Sequence, residues 1–132
     1  MKNEQLVNDW MKRAESNLAR ARAGKVSEKV LYEDLCFDCQ QSAEKAIKAL
    51  LISLDKEFPW KHSLVILLAL VSEAGIEIPE EIEKSAKLTE YAVEIRYPGE
   101  REPVSEDEYR EALKLAEKVF NWVSKILKEG EK

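Results

Sequence analysis

Cys36-Phe37-Asp38-Cys39-Gln40-Gln41-Ser42-Ala43-Glu44-Lys45-Ala46-Ile47-Lys48-Ala49-Leu50-Leu51 is the stretch on which the fold class of this chain turns. At helical spacing Leu35, Cys39, Ala43, Ala46, Ile47, Leu50 and Leu54 fall on one broad face. Gln41, Glu44, Lys45 and Lys48 gather to one side of it. The apolar face belongs in a core. The polar edge admits two readings, a solvated surface with local ion pairs or one wall of a binding site.

The surrounding sequence extends the helical pattern in both directions. Leu6, Trp10, Ala14, Leu18 and Ala21 recur at helical spacing and define a first helix that Gly24 can cap in a left-handed conformation. Ser27 is a candidate N-cap for the second helix, which runs to about Asp55 and ends before Pro59. The run Leu64 to Val71 fits a buried strand or a buried helix, and the absence of a partner strand favours a helix ended by Gly75. Pro79 with Glu80, Glu81 and Glu83 opens a fourth helix reaching about Ile95. Arg96-Tyr97-Pro98-Gly99 through Pro103 reads as a loop. A capping box at Ser105 and Glu108 then starts the most regular amphipathic helix, carrying Tyr109, Ala112, Leu113, Ala116, Val119, Phe120, Val123 and Leu127. The expected fold is all-α, an antiparallel up-and-down bundle of about five helices forming a single domain over residues 1–132.

Composition narrows the function classes. A formal net charge of −5 argues against a surface that coats nucleic acid and leaves room for a local basic pocket. Charged residues make up 36% of the chain against four Gly and four Pro, a balance that favours long helices and resembles proteins from hot environments. No run is apolar for long enough to cross a bilayer, and the segment after Met1 lacks a signal peptide's apolar stretch, so a cytoplasmic location is expected. Cys36 and Cys39 have redox or half-zinc spacing, but they lie inside a helix and the chain offers one His and no further Cys as ligands. They read as packing residues, with no metal or cofactor implied.

Two further places could carry chemistry. His62, the single histidine, stands at a helix entrance after Pro59-Trp60-Lys61, where capping or surface hydrogen bonding competes with a functional role. Arg96 offers a planar fork for phosphate or carboxylate and Tyr97 a ring for stacking, against the alternative of an ion pair and core packing. Neither a phosphate-binding glycine loop nor a dinucleotide fingerprint is present.

Taken in order, the Gln-Gln-x-x-Glu-Lys-x-x-Lys core of the quoted stretch, His62-Ser63-Leu64 and Arg96-Tyr97-Pro98 resemble the HEPN family of prokaryotic helical domains across nearly the whole chain. The resemblance implies a helical bundle that commonly forms a homodimer and is often paired with a minimal nucleotidyltransferase as toxin and antitoxin. Many members of that family are metal-independent RNases whose signature is an Arg followed, after four to six residues, by a His. After Arg96 those positions hold Arg101, Glu102 and Pro103, and no histidine follows His62. Metal-independent RNA cleavage needs a base for the 2′-hydroxyl and an acid for the leaving oxygen, and Glu102 is a poor proton donor. The expectation is therefore a nucleotide- or RNA-binding module with a groove lined by Glu44, Lys45, Lys48, His62, Arg96 and Tyr97, in which Glu44 orients Arg96. The alternatives are a divergent RNase using His62 with Arg96 or Tyr97, and a purely structural interaction protein.

Overall fold

The computed structural model describes residues 3–93, 99 and 102–130. Helix α1 spans Glu4–Ala23, α2 Tyr32–Ser53, α3 Leu64–Glu73, α4 Glu80–Glu83, α5 Glu90–Val93 and α6 Glu106–Gly130. A 3-10 turn over Lys84–Thr89 joins α4 to α5, so these three pieces make one compound helix. The result is the expected all-α antiparallel bundle of five helices, with no strand among the described residues. None of these helices is long and apolar enough to cross a membrane.

Helix α2 is the central element, because α1, α3, the compound helix and α6 all pack on it. Its Ile47, Leu50 and Leu51 are fully buried with Leu18 of α1, Leu64, Leu67 and Val71 of the α3 region, Ile82 and Leu88 of the compound helix, and Val119 and Val123 of α6. Small residues let α1 approach closely: Ala14, Ala21, Ala43 and Ala46 have no exposure, and Ser42 Oγ donates to the Ala14 carbonyl at 2.8 Å. At the other end Tyr109 Oη donates to the Ala21 carbonyl at 2.5 Å and its ring stacks on Tyr32 at 5.3 Å. One side chain thereby ties α6 to the C-terminus of α1 and the N-terminus of α2.

Helix ends follow local chemistry, with three departures from the sequence reading. Gly24 ends α1 at φ 68°, and Ser105 Oγ accepts from the Glu108 amide as expected. The Glu108 carboxylate accepts from Tyr91 Oη at 2.6 Å. Ser27 does not cap α2. Its hydroxyl accepts from the Lys29 amide and its carbonyl from the Val30 amide, a tight turn that uses those groups locally and delays the helix to Tyr32. The expected single fourth helix is interrupted where Ser85, fully buried, donates its hydroxyl to the Ile82 carbonyl at 2.5 Å. In α1 the core face is Val7, Ala14, Leu18 and Ala21, while Leu6 is exposed and Trp10 half-buried at its edge.

Leu50→Ala is expected to cost about 2–5 kcal/mol, read from the urea midpoint, because the central helix cannot collapse onto the void. Tyr109→Phe should cost about 1 kcal/mol by the same measurement, since it removes one hydrogen bond and leaves the ring stack.

Candidate functional site

The polar edge of α2 is not a solvated helix surface. Glu44 and Lys48 are 3% and 4% exposed, and Gln40 has no exposure at all. A buried carboxylate demands donors, and the fold supplies three. Lys48 Nζ donates to Glu44 Oε2 at 2.8 Å. Gln40 Nε2 donates to Oε1 at 2.8 Å, and His62 Nδ1 meets the same oxygen at 2.9 Å. Helical periodicity stacks Gln40, Glu44 and Lys48 one turn apart. His62 arrives from the segment ahead of α3, where Ser63 does the capping by accepting from the Ile66 amide.

Burial by itself works to raise the Glu44 pKa, but hydrogen bonds from Lys48, Gln40 and His62, with the Lys48 charge, outweigh it and hold the carboxyl below its ordinary value. An ionised carboxylate only accepts hydrogen bonds, so His62 Nδ1 is the donor in this contact. The imidazole is half exposed, at 54%. Gln40 Nε2 also lies 3.4 Å from the His62 carbonyl, and Gln41 Nε2 donates to Gln40 Oε1 at 2.7 Å.

Aromatic rings surround the cation of this cluster. Lys48 Nζ lies 5.8 Å from the Trp10 ring centroid and 5.5 Å from those of Phe58 and Trp60. Trp60 is 85% exposed, the most open large apolar side chain among the described residues. An indole standing in water beside a buried ion pair and a half-exposed imidazole is a ready platform for a flat ring.

A second cluster continues along the α1–α2 contact. Asn17 Nδ2 donates to Asp38 Oδ1 at 2.9 Å, Lys45 Nζ donates to Asn17 Oδ1 at 2.8 Å, and Arg20 Nε sits 3.4 Å from Asp38 Oδ2. Desolvation, followed by opposing influences from neighbouring charges, leaves the Lys45 ammonium below its ordinary pKa.

Of the residues the sequence points to, Glu44, Lys48 and His62 come together, and Lys45 lies one turn along in the adjoining cluster. Arg96 and Tyr97 lie outside the described residues. Sequence reasoning missed Gln40, Asn17, Trp10, Phe58 and Trp60. A Gln four residues before Glu44 was a legible signal for Gln40, whereas the aromatic trio comes from two distant segments. Cys36 and Cys39 are fully buried within α2, and burial pushes the Cys39 thiol up, which keeps it protonated and unreactive.

Glu44→Gln leaves the Lys48 ammonium buried without its counter-ion and is expected to cost about 3 kcal/mol at neutral pH. Because the folded-state pKa of Glu44 is depressed, its contribution is present above the unfolded value of 4.5 and is lost as pH falls through the lower folded value. Urea midpoints measured from neutral pH into acid should therefore converge for parent and variant.

A family model for the HEPN domain matches residues 7–127. A crystal structure of TT1696 from Thermus thermophilus is similar at 32% identity and TM-score 0.76, over 95% of this chain and 98% of that one. The archaeal HEPN homologue ST0689 is similar at 31% identity and TM-score 0.67, over 89% and 94%. No curated protein matches this chain. With a family model spanning most of its length and relatives that share its fold at this identity, the chain belongs to the HEPN domain family.

Proposed function

We propose that this HEPN domain is a nucleotide- or RNA-binding module whose ligand docks against His62, Lys48 and Trp60. The observation that carries the reading is the exposed Trp60 ring held over the buried Lys48–Glu44 pair, next to the half-exposed His62 imidazole that Glu44 holds. A base stacks on Trp60, and His62 with the exposed Lys61 meets sugar and phosphate. Arg96 and Tyr97 belong to the same proposal on the strength of the sequence motif.

The module works in the cytoplasm as a homodimer, and as partner of a minimal nucleotidyltransferase in a toxin–antitoxin-like pair. Support for self-association comes from α3, where Val65 is 62% and Ile66 38% exposed. Beside them lies a depression of about 320 Å³ lined by Val65, Leu68, Ala69, Ile78 and Ala86 together with Ser72 and Glu83.

Calorimetric titration with ATP, GTP and UMP is expected to give dissociation constants below millimolar. Trp60→Ala should weaken binding about fivefold or more, from a stacking loss of about 1–3 kcal/mol per base. Absence of binding to the parent protein would overturn the reading.

A second reading is favoured by the His62–Glu44 contact, in which a carboxylate orients an imidazole as it would for a general base. Nε2 would take the proton of a ribose 2′-hydroxyl, the oxygen would attack phosphorus, and the bond to the leaving 5′-oxygen would break as water protonates it. Labelled RNA incubated with the parent and with His62→Ala separates the two readings. Faster cleavage by the parent supports catalysis, and equal rates remove His62 from it.

A further inference from the structure

The solvent-facing side of α2 is unusually narrow. Between Asp34 and Lys48 only Asp34, Phe37, Gln41 and Lys45 reach solvent, and they lie on one line three or four residues apart. Every other side chain in that span is buried by neighbouring elements. This line is the floor of a groove, and the contacts on either side identify its walls.

Helix α1 forms one wall. Its Trp10 stands beside Lys48, its Asn17 bonds to Lys45 and Asp38, and its Arg20 pairs with Asp38, which sets the two helices antiparallel along the groove. Trp10, Arg13, Asn17 and Arg20 share one face of α1, and the two arginines are exposed, Arg20 at 71% of its side chain. The segment Phe58 to His62 forms the opposite wall at the Lys48 end, held by the His62–Glu44 and Lys48–Trp60 contacts. From Phe37 to Lys45 the floor runs about 12 Å, longer than one nucleotide.

The charge along this groove opposes that of the chain. Arg13, Arg20 and Lys45 line it, with Lys61 at its end, in a protein whose formal net charge is −5. The two carboxylates among them, Asp38 and Glu44, are buried and already paired. Asp9, one turn before Arg13 on the same face of α1, and Asp34 at the far end bound the basic stretch. Exposed aromatics mark both ends, Trp60 at 85% and Phe37 at 44%. Cations spaced along a track with rings at intervals form the pattern that holds a single strand, phosphates on the charges and base faces on the rings.

Resting on the nucleotide-binding reading and deepening it, we infer that the ligand is a single-stranded nucleic acid lying along the α1–α2 groove. One base stacks on Trp60, another reaches Phe37, and the intervening phosphates face Arg13, Arg20 and Lys45. A duplex conceals the base faces and lacks this fit.

Fluorescence anisotropy with short labelled oligo(U), set against calorimetry with UMP, tests the inference on the intact protein. Oligo(U) is expected to bind at least tenfold tighter than UMP and tighter than duplex RNA of the same length. The double variant Arg13→Gln/Arg20→Gln, both positions exposed and outside the core, should keep the parent's circular dichroism and its UMP affinity. Its log–log salt slope for oligo(U) should be shallower by about 1.4, the share of two phosphate contacts on a single strand. Phe37→Ala should weaken oligo(U) and leave UMP unaffected. Equal affinity for UMP and oligo(U), an unchanged salt slope, or equal binding of the duplex would each overturn the groove while leaving a Trp60 nucleotide site in place. Failure to bind UMP and oligo(U) alike would overturn both.

Discussion

A carboxylate taken out of water governs this molecule. Glu44 sits on the helix that every other long element packs against, and once its side chain is buried its oxygens must be met by donors. Lys48 and Gln40 come from the same helix, at the spacing that only a helix provides. His62 comes from outside it, so satisfying the carboxylate also fixes the path of the chain between α2 and α3. The three donors lower the carboxyl's pKa against the pull of burial, and an ionised Glu44 in turn fixes which ring nitrogen of His62 faces it as a donor.

The same constraint links stability to function. The core of Ile47, Leu50 and Leu51 holds α2 in place from one side, and the polar network is built on the side that the core leaves over. Because α1 and the segment ahead of α3 cover this side of α2, Gln40, Glu44 and Lys48 are buried and not on an open surface. Trp10, Phe58 and Trp60 then gather about a lysine that has almost no water around it. Arg13, Arg20 and Lys45 stay accessible along the neighbouring α1–α2 contact, and the proposed groove rests on the association of these cations with exposed rings.

Much of the fold was legible in the residues. The apolar stripe of α2, the stop at Gly24, the Ser105 cap and the amphipathic α6 all express local preferences that agree with the final packing. The misreadings arose where a short polar side chain bonded to nearby backbone, at Ser27 and at Ser85, because such bonds compete with helix on nearly equal terms. The site was legible in part. Glu44, Lys48 and His62 stood out as polar residues in a helical chain and the i,i+4 spacing pointed to Gln40, whereas Asn17 matters through burial, which no single position reveals.

Amino-acid order alone determined the helical class, the number of helices, the apolar face of the central one and the positions of its polar residues, since each depends on neighbours within a turn or two. Only the tertiary structure decided that this polar edge is buried, that His62 closes on Glu44 across 18 positions, and that Trp10, Phe58 and Trp60 share one cation. Those outcomes depend on which elements approach α2 and how closely, and that is set by the packing of all five helices together.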